Sequence, residues 1–211
     1  MLSRFPDPRR ARHDVIAIGD DVSIDTLRDA YRHGIFPWPH EDYPLPWFSP
    51  RKRTVIMFDE LHVGRSLRKA AKRAELAFTI DRAFEHVIRA CADREDDGTW
   101  IDERIIDAYT SLHHAGDAHS IEVWEDGALA GGLYGVDAGG VFTGESMFHA
   151  RSDASKLALL YTIEHLRARG ATWLDCQVMT PHMAALGARE ITRAKFLDML
   201  AETQARSLKL F

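Results

Sequence analysis

The strongest constraint on the fold is a change from helical to alternating hydrophobicity near residue 120. The chain then reads as three apolar, strand-like stretches, at residues 120–124, 129–136 and 141–148. Between them lie Glu125-Asp-Gly127 and Asp137-Ala-Gly-Gly140, whose residues favour tight turns. This pattern predicts a three-stranded antiparallel meander, so the fold must contain a sheet.

Helical periodicity surrounds the predicted meander on both sides. Before it, we expect a helix that Ser23 caps and Gly34 ends, a helix at residues 84–91 capped by Asp81, and another at 103–114. After it, we expect a long helix from Asp153 to Arg169, a strand at 172–178, a short helix capped by Thr180 and a last helix from Thr192. Strands also fit residues 54–58 and 77–80.

These elements predict an α+β protein with a mixed sheet flanked by helices. The order of meander, helix, strand and helix is the layout of an N-acyltransferase-type (GNAT-like) domain, which is an analogy of fold and carries no chemistry. We expect residues 1–60 to form a small N-terminal α/β domain and residues 61–211 to form the GNAT-like catalytic domain.

A segment rich in proline and aromatic residues closes the predicted N-terminal domain. Five prolines between residues 37 and 50 forbid regular structure, yet Phe36, Trp38, Trp47 and Phe48 are too apolar for a free linker. The aromatic side chains either fill a core or form a stacking wall for a base or ring, and composition favours the core.

Charge and composition narrow the possible partners. Lysine and arginine total 27 against 32 acidic residues, a net charge of −5, so a polyanion would have to bind a local basic patch. One candidate patch follows helical spacing, and its alternative is an ordinary solvated helix face. It consists of Arg65, Arg68, Lys69, Lys72 and Arg73.

The N-terminal residues and the cysteines indicate a cytoplasmic protein. Residues 1–14 have no apolar core, so they read as neither a signal peptide nor a membrane span. Cys91 and Cys176 each lie in an apolar periodic segment, which suits reduced, buried thiols better than a disulfide or a metal site.

The strand at residues 172–178 carries the first candidate for chemistry. Side chains alternate along a strand, so Leu174 and Cys176 point one way while Asp175 and Gln177 point the other. An acid in so apolar a strand is costly unless it is hydrogen-bonded or lines a cavity. The alternative, a polar pair on an exposed face near a sheet edge, stays open.

A second carboxylate lies in the last strand of the predicted meander. Glu145 has apolar neighbours, and Gly144 would let a ligand or another backbone approach closely. The segment resembles a binding wall, although a charged residue on the open face of a meander is the commoner case.

Several catalytic motifs are absent from the sequence. There is no G-x-S-x-G elbow, Walker phosphate loop, dinucleotide fingerprint or H-E-x-x-H arrangement. An enzyme that uses acetyl-CoA needs a glycine-rich loop that enters a helix, whereas Arg167-Ala-Arg-Gly-Ala171 leaves one. We therefore expect neither a metal nor a nucleotide cofactor.

An ordered series of motifs resembles the bacterial leucyl/phenylalanyl-tRNA-protein transferases from about residue 25 to residue 200. The motifs are Gly34-Ile-Phe-Pro-Trp38, Trp47-Phe-Ser-Pro50, Gly98-Thr-Trp-Ile101, His119-Ser-Ile-Glu-Val123, Gly131-Gly-Leu-Tyr-Gly135, Gly144-Glu-Ser-Met-Phe148, Ala154-Ser-Lys156, Asp175-Cys-Gln177 and Leu186-Gly-Ala188. The resemblance implies transfer of leucine or phenylalanine, with methionine as a further candidate, from charged tRNA to proteins that begin with arginine or lysine. The product is marked for degradation through its new N-terminus, with no cofactor and no membrane involved.

The resemblance also implies roles for individual residues. Asp175 and Gln177 match the catalytic pair, in which the acid orients the amide and the amide contacts the incoming α-amino group. Glu145 matches the carboxylate that holds the aminoacyl adenosine and the substrate amine. The walls of the pocket for the apolar side chain match Leu133, Phe142, Thr143, Met147 and Leu174, and Thr162 stands at a further wall position.

The predicted tRNA contacts follow from the same resemblance. Trp38 and Trp100 match aromatic residues near the terminal adenosine, and the basic helix from Arg65 to Arg73 would bind phosphates of the acceptor stem. Two alternatives stay open: an N-acyltransferase that uses acyl-CoA, and a non-catalytic module that binds tRNA or peptide.

Overall fold

The computed structural model describes residues 4–39, 44–71, 75–93 and 100–211. In these ranges the chain forms ten strands in two sheets and seven α-helices. The strands are β1 (Val15–Ile18), β2 (Phe36–Pro37), β3 (Pro46–Phe48), β4 (Lys52–Met57), β5 (Leu76–Ile80), β6 (Ala118–Glu125), β7 (Ala128–Asp137), β8 (Phe142–His149), β9 (Trp173–Gln177) and β10 (Arg189–Thr192). The helices are α1 (Ile24–Arg32), α2 (Arg65–Ala70), α3 (Phe84–Ala92), α4 (Glu103–His114), α5 (Ala154–Ala168), α6 (Pro181–Ala185) and α7 (Arg193–Ala205).

The larger sheet has seven strands in the order β10-β4-β9-β8-β7-β6-β5. Strands β6, β7 and β8 pair antiparallel in succession, so the predicted meander is confirmed. Strands β8 and β9 run parallel and share one residue pair, Thr143 with Asp175. The sheet is therefore mixed and flanked by helices, which confirms the predicted α+β class.

The seven-stranded sheet separates two apolar cores. The first core contains Tyr31 of α1, Val87 of α3, Tyr109 of α4 and Leu200 of α7, together with Trp173 of β9. The second core lies against α5 and α2. It includes Leu67, Ile163, Leu133, Phe142 and Leu174. Each face of the sheet is thus covered, and a polar group on either face must find its partners inside the protein.

The proline and aromatic segment forms the smaller sheet, in the order β1-β3-β2. Trp47 is buried, and its indole Nε1 donates to the carbonyl oxygen of Gly19 at 2.9 Å. Trp38 and Phe48 are half-buried and meet edge to face, with ring centroids 5.6 Å apart. These rings pack against the first core, as the composition favoured. Short strands form despite the prolines, because β2 lies at an edge and β3 has only three residues.

Most predicted helix boundaries are confirmed, with two corrections to the caps. Ser23 occupies the cap position of α1, but its side chain makes no capping hydrogen bond. The hydroxyls of Thr180 and Thr192 accept backbone N–H bonds at the starts of α6 and α7, and Gly34 follows α1 with a φ of +72°. Asp81 does not cap α3. Its φ is +59°, and its carboxylate instead accepts from the backbone N–H of Ser120, because it lies against the start of the meander. Ala83 occupies the cap position of α3.

Strand β4 bears on the predicted domain division. The proposed boundary at residue 60 assigns β4 to the N-terminal domain, but β4 lies between β10 and β9 in the larger sheet. The division therefore stays a proposal, and the pairing of β4 favours a boundary near residue 51.

No helix among the described residues is both long and apolar enough to cross a membrane. Both cysteines are free, with Cys91 buried and Cys176 half-buried.

Candidate active site

Asp175 lies at the centre of a buried hydrogen-bond network. The side chain is 0% exposed, and Leu174 and Cys176 on either side of it pack into the second core, as the strand alternation predicts. Its carboxylate accepts from the guanidinium of Arg53 in a two-bond arrangement, with Nε to Oδ1 at 2.8 Å and NH2 to Oδ2 at 2.6 Å. The hydroxyl of Thr143 (3.1 Å) and the backbone N–H of Gln177 (2.9 Å) also donate to it. Four donors thus hold one carboxylate in one orientation.

Arg53 is the residue that the sequence reading missed. Its guanidinium lies between the rings of Phe36 and Phe196, 4.6 and 4.5 Å from their centroids, and its side chain is 1% exposed. A charge this deeply buried needs a counter-charge, which Asp175 supplies. The sequence did contain a signal for this burial. Side-chain alternation places Arg53 on the same side of β4 as Val55, which lies in the first core.

Gln177 ends β9 in a backbone conformation unusual for its residue type. Its φ is +61°, a region that non-glycine residues rarely enter and that costs about 1 kcal/mol or more. The adjacent pairing with β4 is irregular between Thr54 and Val55. This conformation accompanies a side-chain amide whose Nε2 donates to Oε1 of Glu145 at 2.7 Å. The amide therefore bridges β9 to β8 past their single backbone pair.

Glu145 is the extra residue of a β-bulge. Across β7, Tyr134 pairs with Ser146 and Gly135 pairs with Gly144, so Glu145 has no opposite residue. A bulge re-aims the side chain that it inserts. Gly135 permits this geometry, because a Cβ there would lie 2.3 Å from the carbonyl oxygen of Thr143. The sequence signalled Gly144, whereas the close approach that requires glycine lies at Gly135.

The surroundings of Glu145 change its acidity. Burial raises the pKa of Glu145 to about 8, and the nearby charge of Asp175 acts in the same direction. The hydroxyl of Tyr31, the Arg53 guanidinium and the Gln177 amide lower that pKa but do not offset burial. Near neutral pH this carboxyl group therefore exists in both its neutral and ionised forms, with the neutral form in excess.

The six residues predicted for the apolar pocket divide between two environments. Leu133, Phe142 and Leu174 are buried in the second core, and Met147 is half-buried against it. Thr143 is buried with its hydroxyl bonded to Asp175, and Thr162 donates to the carbonyl oxygen of Ala158 at 2.8 Å within α5. The hydroxyl of Thr162 thus finds its hydrogen-bond partner inside its own helix. The assignment of these residues to a pocket stays a prediction.

The predicted tRNA-binding residues that the structure describes divide between α2 and the margin of the first core. Arg65, Arg68 and Lys69 are exposed on α2, whose buried Leu67 and Ala70 anchor it to the second core. Trp38 and Trp100 are half-buried at the margin of the first core. Lys72 and Arg73 lie outside the described residues, as do Gly98 and Thr99 of the Gly98-Thr-Trp-Ile101 motif. The role of all these residues in tRNA binding stays a prediction.

The fold and the site define an α+β domain in which two buried carboxyl groups, one paired with Arg53 and one bonded to the side-chain amide of Gln177, lie inside a mixed sheet. Family models refine that class. The model described as leucyl/phenylalanyl-tRNA protein transferase matches residues 55–201, and the model of its N-terminal domain matches residues 20–51. The chain belongs to the leucyl/phenylalanyl-tRNA-protein transferase family, and it is a transferase enzyme.

Curated relatives agree with the family models. A leucyl/phenylalanyl-tRNA-protein transferase of Pectobacterium carotovorum is 49% identical over 95% of this chain and 87% of its own length. That of Anaeromyxobacter sp. is 50% identical over 96% of this chain and 88% of its own length. A solved GCN5-related N-acetyltransferase from Kribbella flavida is 16% identical, with a TM-score of 0.40 over 76% of this chain and 58% of its own.

Proposed function

We propose that this enzyme transfers leucine or phenylalanine, and to a lesser extent methionine, from aminoacyl-tRNA to proteins that begin with arginine or lysine. The new apolar N-terminus marks the acceptor protein for degradation, and we place the reaction in the cytoplasm. Family membership supports aminoacyl-tRNA as one substrate and a protein as the other. The choice of amino acid and of acceptor residue is part of the proposal.

The observation that carries this proposal is the bridge between Gln177 and Glu145. An aminoacyl ester is already activated, so the enzyme must mainly position the amine and move one proton. An amide oxygen and a carboxylate oxygen next to each other can both accept from a protonated N-terminus. In this proposal Asp175 and Arg53 fix the Gln177 backbone, because Asp175 accepts from the Gln177 N–H at 2.9 Å and from Arg53 on its other side.

The second core supplies the apolar contacts that the aminoacyl side chain requires. Leu133, Phe142 and Leu174 present apolar groups beneath the strands that carry the polar network. A pocket of this kind distinguishes side chains by shape and volume, each methylene being worth about 1–3 kcal/mol. We expect unbranched and γ-branched side chains to be transferred and β-branched ones to be rejected.

The direct test is transfer of labelled amino acid from purified charged tRNAs to peptides that differ only in their first residue. We expect leucine and phenylalanine to be incorporated into peptides that begin with arginine or lysine, and valine and isoleucine to be excluded. A matched peptide that begins with glutamate is the control. Absence of transfer from every charged tRNA by folded enzyme would contradict the proposed function.

The basic surface of α2 is proposed to bind tRNA phosphates, and salt dependence tests this step. Replacing Arg68 by Gln removes one exposed charge without disturbing the buried side of α2. Each phosphate contact contributes about one unit to the slope of log affinity against log salt, so the variant should lose about one unit. Glu164→Gln on α5 is the matched control, and an equal change in both variants would contradict the assignment.

A further inference from the structure

The proposed reaction leaves one proton without an acceptor, and the two acids of the site differ in their ability to take it. Asp175 is bound by both nitrogens of the Arg53 fork and by two further donors. These donors occupy both carboxylate oxygens, two on each, so neither oxygen is open to a proton from the substrate. Gln177 is a carboxamide and is a poor base. Neither member of this pair is suited to accept a proton during catalysis.

Among the described residues, no cation forms an ion pair with the Glu145 carboxylate, and Arg53 acts on it only at longer range. Oε1 accepts from Gln177, while Oε2 is shielded from solvent and makes no hydrogen bond of regular geometry with the described residues. Two tyrosine hydroxyls from separate helices lie beside the carboxylate, Tyr31 from α1 and Tyr109 from α4. The two hydroxyls are hydrogen-bonded to each other. The acid is therefore buried, oriented and still able to gain a proton.

We propose that Glu145 takes the proton from the attacking α-amino nitrogen, and that the hydroxyl pair of Tyr31 and Tyr109 positions it for this step. The inference rests on the proposed function. The neutral amine forms a C–N bond to the ester carbonyl carbon, and its proton passes to the Glu145 carboxylate. The C–O bond then breaks, its electron pair goes to the ribose oxygen, and protonated Glu145 returns the proton to that oxygen. The products are an amide and a free ribose hydroxyl, and Glu145 is regenerated.

The acidity of the surrounding groups agrees with this assignment. Burial raises the pKa of both tyrosines well above its ordinary value, so they stay neutral and act as hydrogen-bond donors or acceptors. The charged groups that act on Glu145 are Asp175, which raises its pKa, and Arg53, which lowers it. A pKa of about 8 lets one group accept and return a proton near neutral pH. Tyr31 and Tyr109 are positioning residues, because they act through Glu145.

The test is the pH dependence of kcat between pH 6 and 9.5, with charged tRNA and acceptor peptide both saturating. At saturation kcat reports groups of the bound complex rather than the free acceptor amine. We expect a wild-type acidic limb near pH 8. Glu145→Gln should lower kcat by about 10²- to 10⁴-fold and abolish the limb. Tyr31→Phe should lower kcat several-fold at pH 7 and move the limb to higher pH, because the Tyr31 hydroxyl lowers the pKa of Glu145.

The matched control is Tyr161→Phe, whose ring stacks on Phe78 in the second core, 5.0 Å between centroids. It should keep the wild-type profile. Circular dichroism and thermal unfolding identify variants that fail to fold, and if Glu145→Gln does not fold, Tyr31→Phe and Tyr109→Phe carry the test. An unmoved limb in both folded tyrosine variants would overturn the proposal, as would a wild-type limb in Glu145→Gln. Failure of the wild-type enzyme to transfer any amino acid would instead contradict the proposed function.

Discussion

The two faces of β9 are both buried, but different interactions stabilise them. On one face Asp175 and Gln177 depend on particular groups of β4 and β8, with donor to acceptor distances of 2.6–3.1 Å. On the other face Leu174 and Cys176 pack into the second core, where volume and apolarity suffice. We therefore expect the polar face to tolerate few substitutions and the apolar face to tolerate most apolar substitutions that preserve volume. In the proposed function, the polar face of β9 takes part in the chemistry and the apolar face takes part in selecting the aminoacyl side chain.

The largest expected effect is the loss of Asp175. Asp175→Ala leaves the Arg53 charge buried and uncompensated, and breaking such pairs costs about 3–5 kcal/mol. We also expect transfer activity to fall by about 100-fold or more, because the Gln177 backbone loses its acceptor and the side chain is misplaced. Urea unfolding and the transfer assay measure the two losses separately.

A double variant separates the two roles of this ion pair. Replacement of both charges, Arg53→Met with Asp175→Leu, should recover most of the lost stability, since buried pairs can be replaced by apolar side chains of similar volume. It should not recover activity. Recovery of both would show that the polar face has no specific role, and recovery of neither would show that the cost lies in packing.

The next largest effect is expected from substitutions on the apolar face of β9. Leu174 is 1% exposed, and Leu174→Ala should cost about 2–5 kcal/mol in urea unfolding through the cavity that it leaves. Leu174→Met preserves volume and should cost less than about 1.5 kcal/mol. We expect either variant to alter the ratio of leucine to phenylalanine transfer while leaving the pH profile in place. A displaced pH profile would show that the two faces are coupled.

The sequence was a better guide to the apolar face of β9 than to the polar face. Periodicity is a local property, so it was sufficient for the meander, for α1, α3, α4, α5 and α7, and for the alternation of Asp175 with Leu174. The strands β1, β2, β3 and β10 were missed because none exceeds four residues and two of them contain proline. The α3 cap was wrong because Asp81 accepts from Ser120, which lies 39 residues away.

The polar network depended on information that no local pattern contains. Arg53 and Asp175 are 122 residues apart, so only the neighbouring positions of β4 and β9 bring them together. The bulge that aims Glu145 depends on the register between β7 and β8. Tyr31 lies within the predicted first helix and is buried, but its hydroxyl acquires a partner only because α4 brings Tyr109 beside it. The sequence indicated which residues were candidates for chemistry, but it did not indicate which residues they contact.

A third effect, of about 1–3 kcal/mol in the free energy of unfolding, tests whether burial of Glu145 destabilises the folded enzyme. The pKa of Glu145 is raised to about 8 in the folded enzyme, from an ordinary value of 4.5. A group with a raised folded pKa stabilises below its unfolded pKa, and that contribution is lost as pH rises through the folded value. Each pKa unit corresponds to about 1.4 kcal/mol before solvent screening reduces it.

Glu145→Gln should therefore gain stability relative to wild type between about pH 5 and pH 8.5, because the amide cannot ionise. Chemical denaturation at several pH values measures the difference, and the surface variant Glu164→Gln is its control. A constant difference across this range would mean that Glu145 ionises as easily in the folded protein as in the unfolded chain.

The smallest effect concerns Thr162, one of the two polar side chains predicted for the walls of the apolar pocket. Thr162 is fully buried, yet its hydroxyl is satisfied by Ala158 of the same helix and takes no part in the network around Asp175. Thr162→Val should therefore change stability by less than about 1 kcal/mol, because the lost bond back to the helix is weak and the added methyl group is apolar. Amino-acid preference and pH profile should stay as in wild type. A change in the pH profile would mean that Thr162 influences the polar network on the opposite side of the sheet, and the contrast between the two faces of β9 would then be wrong.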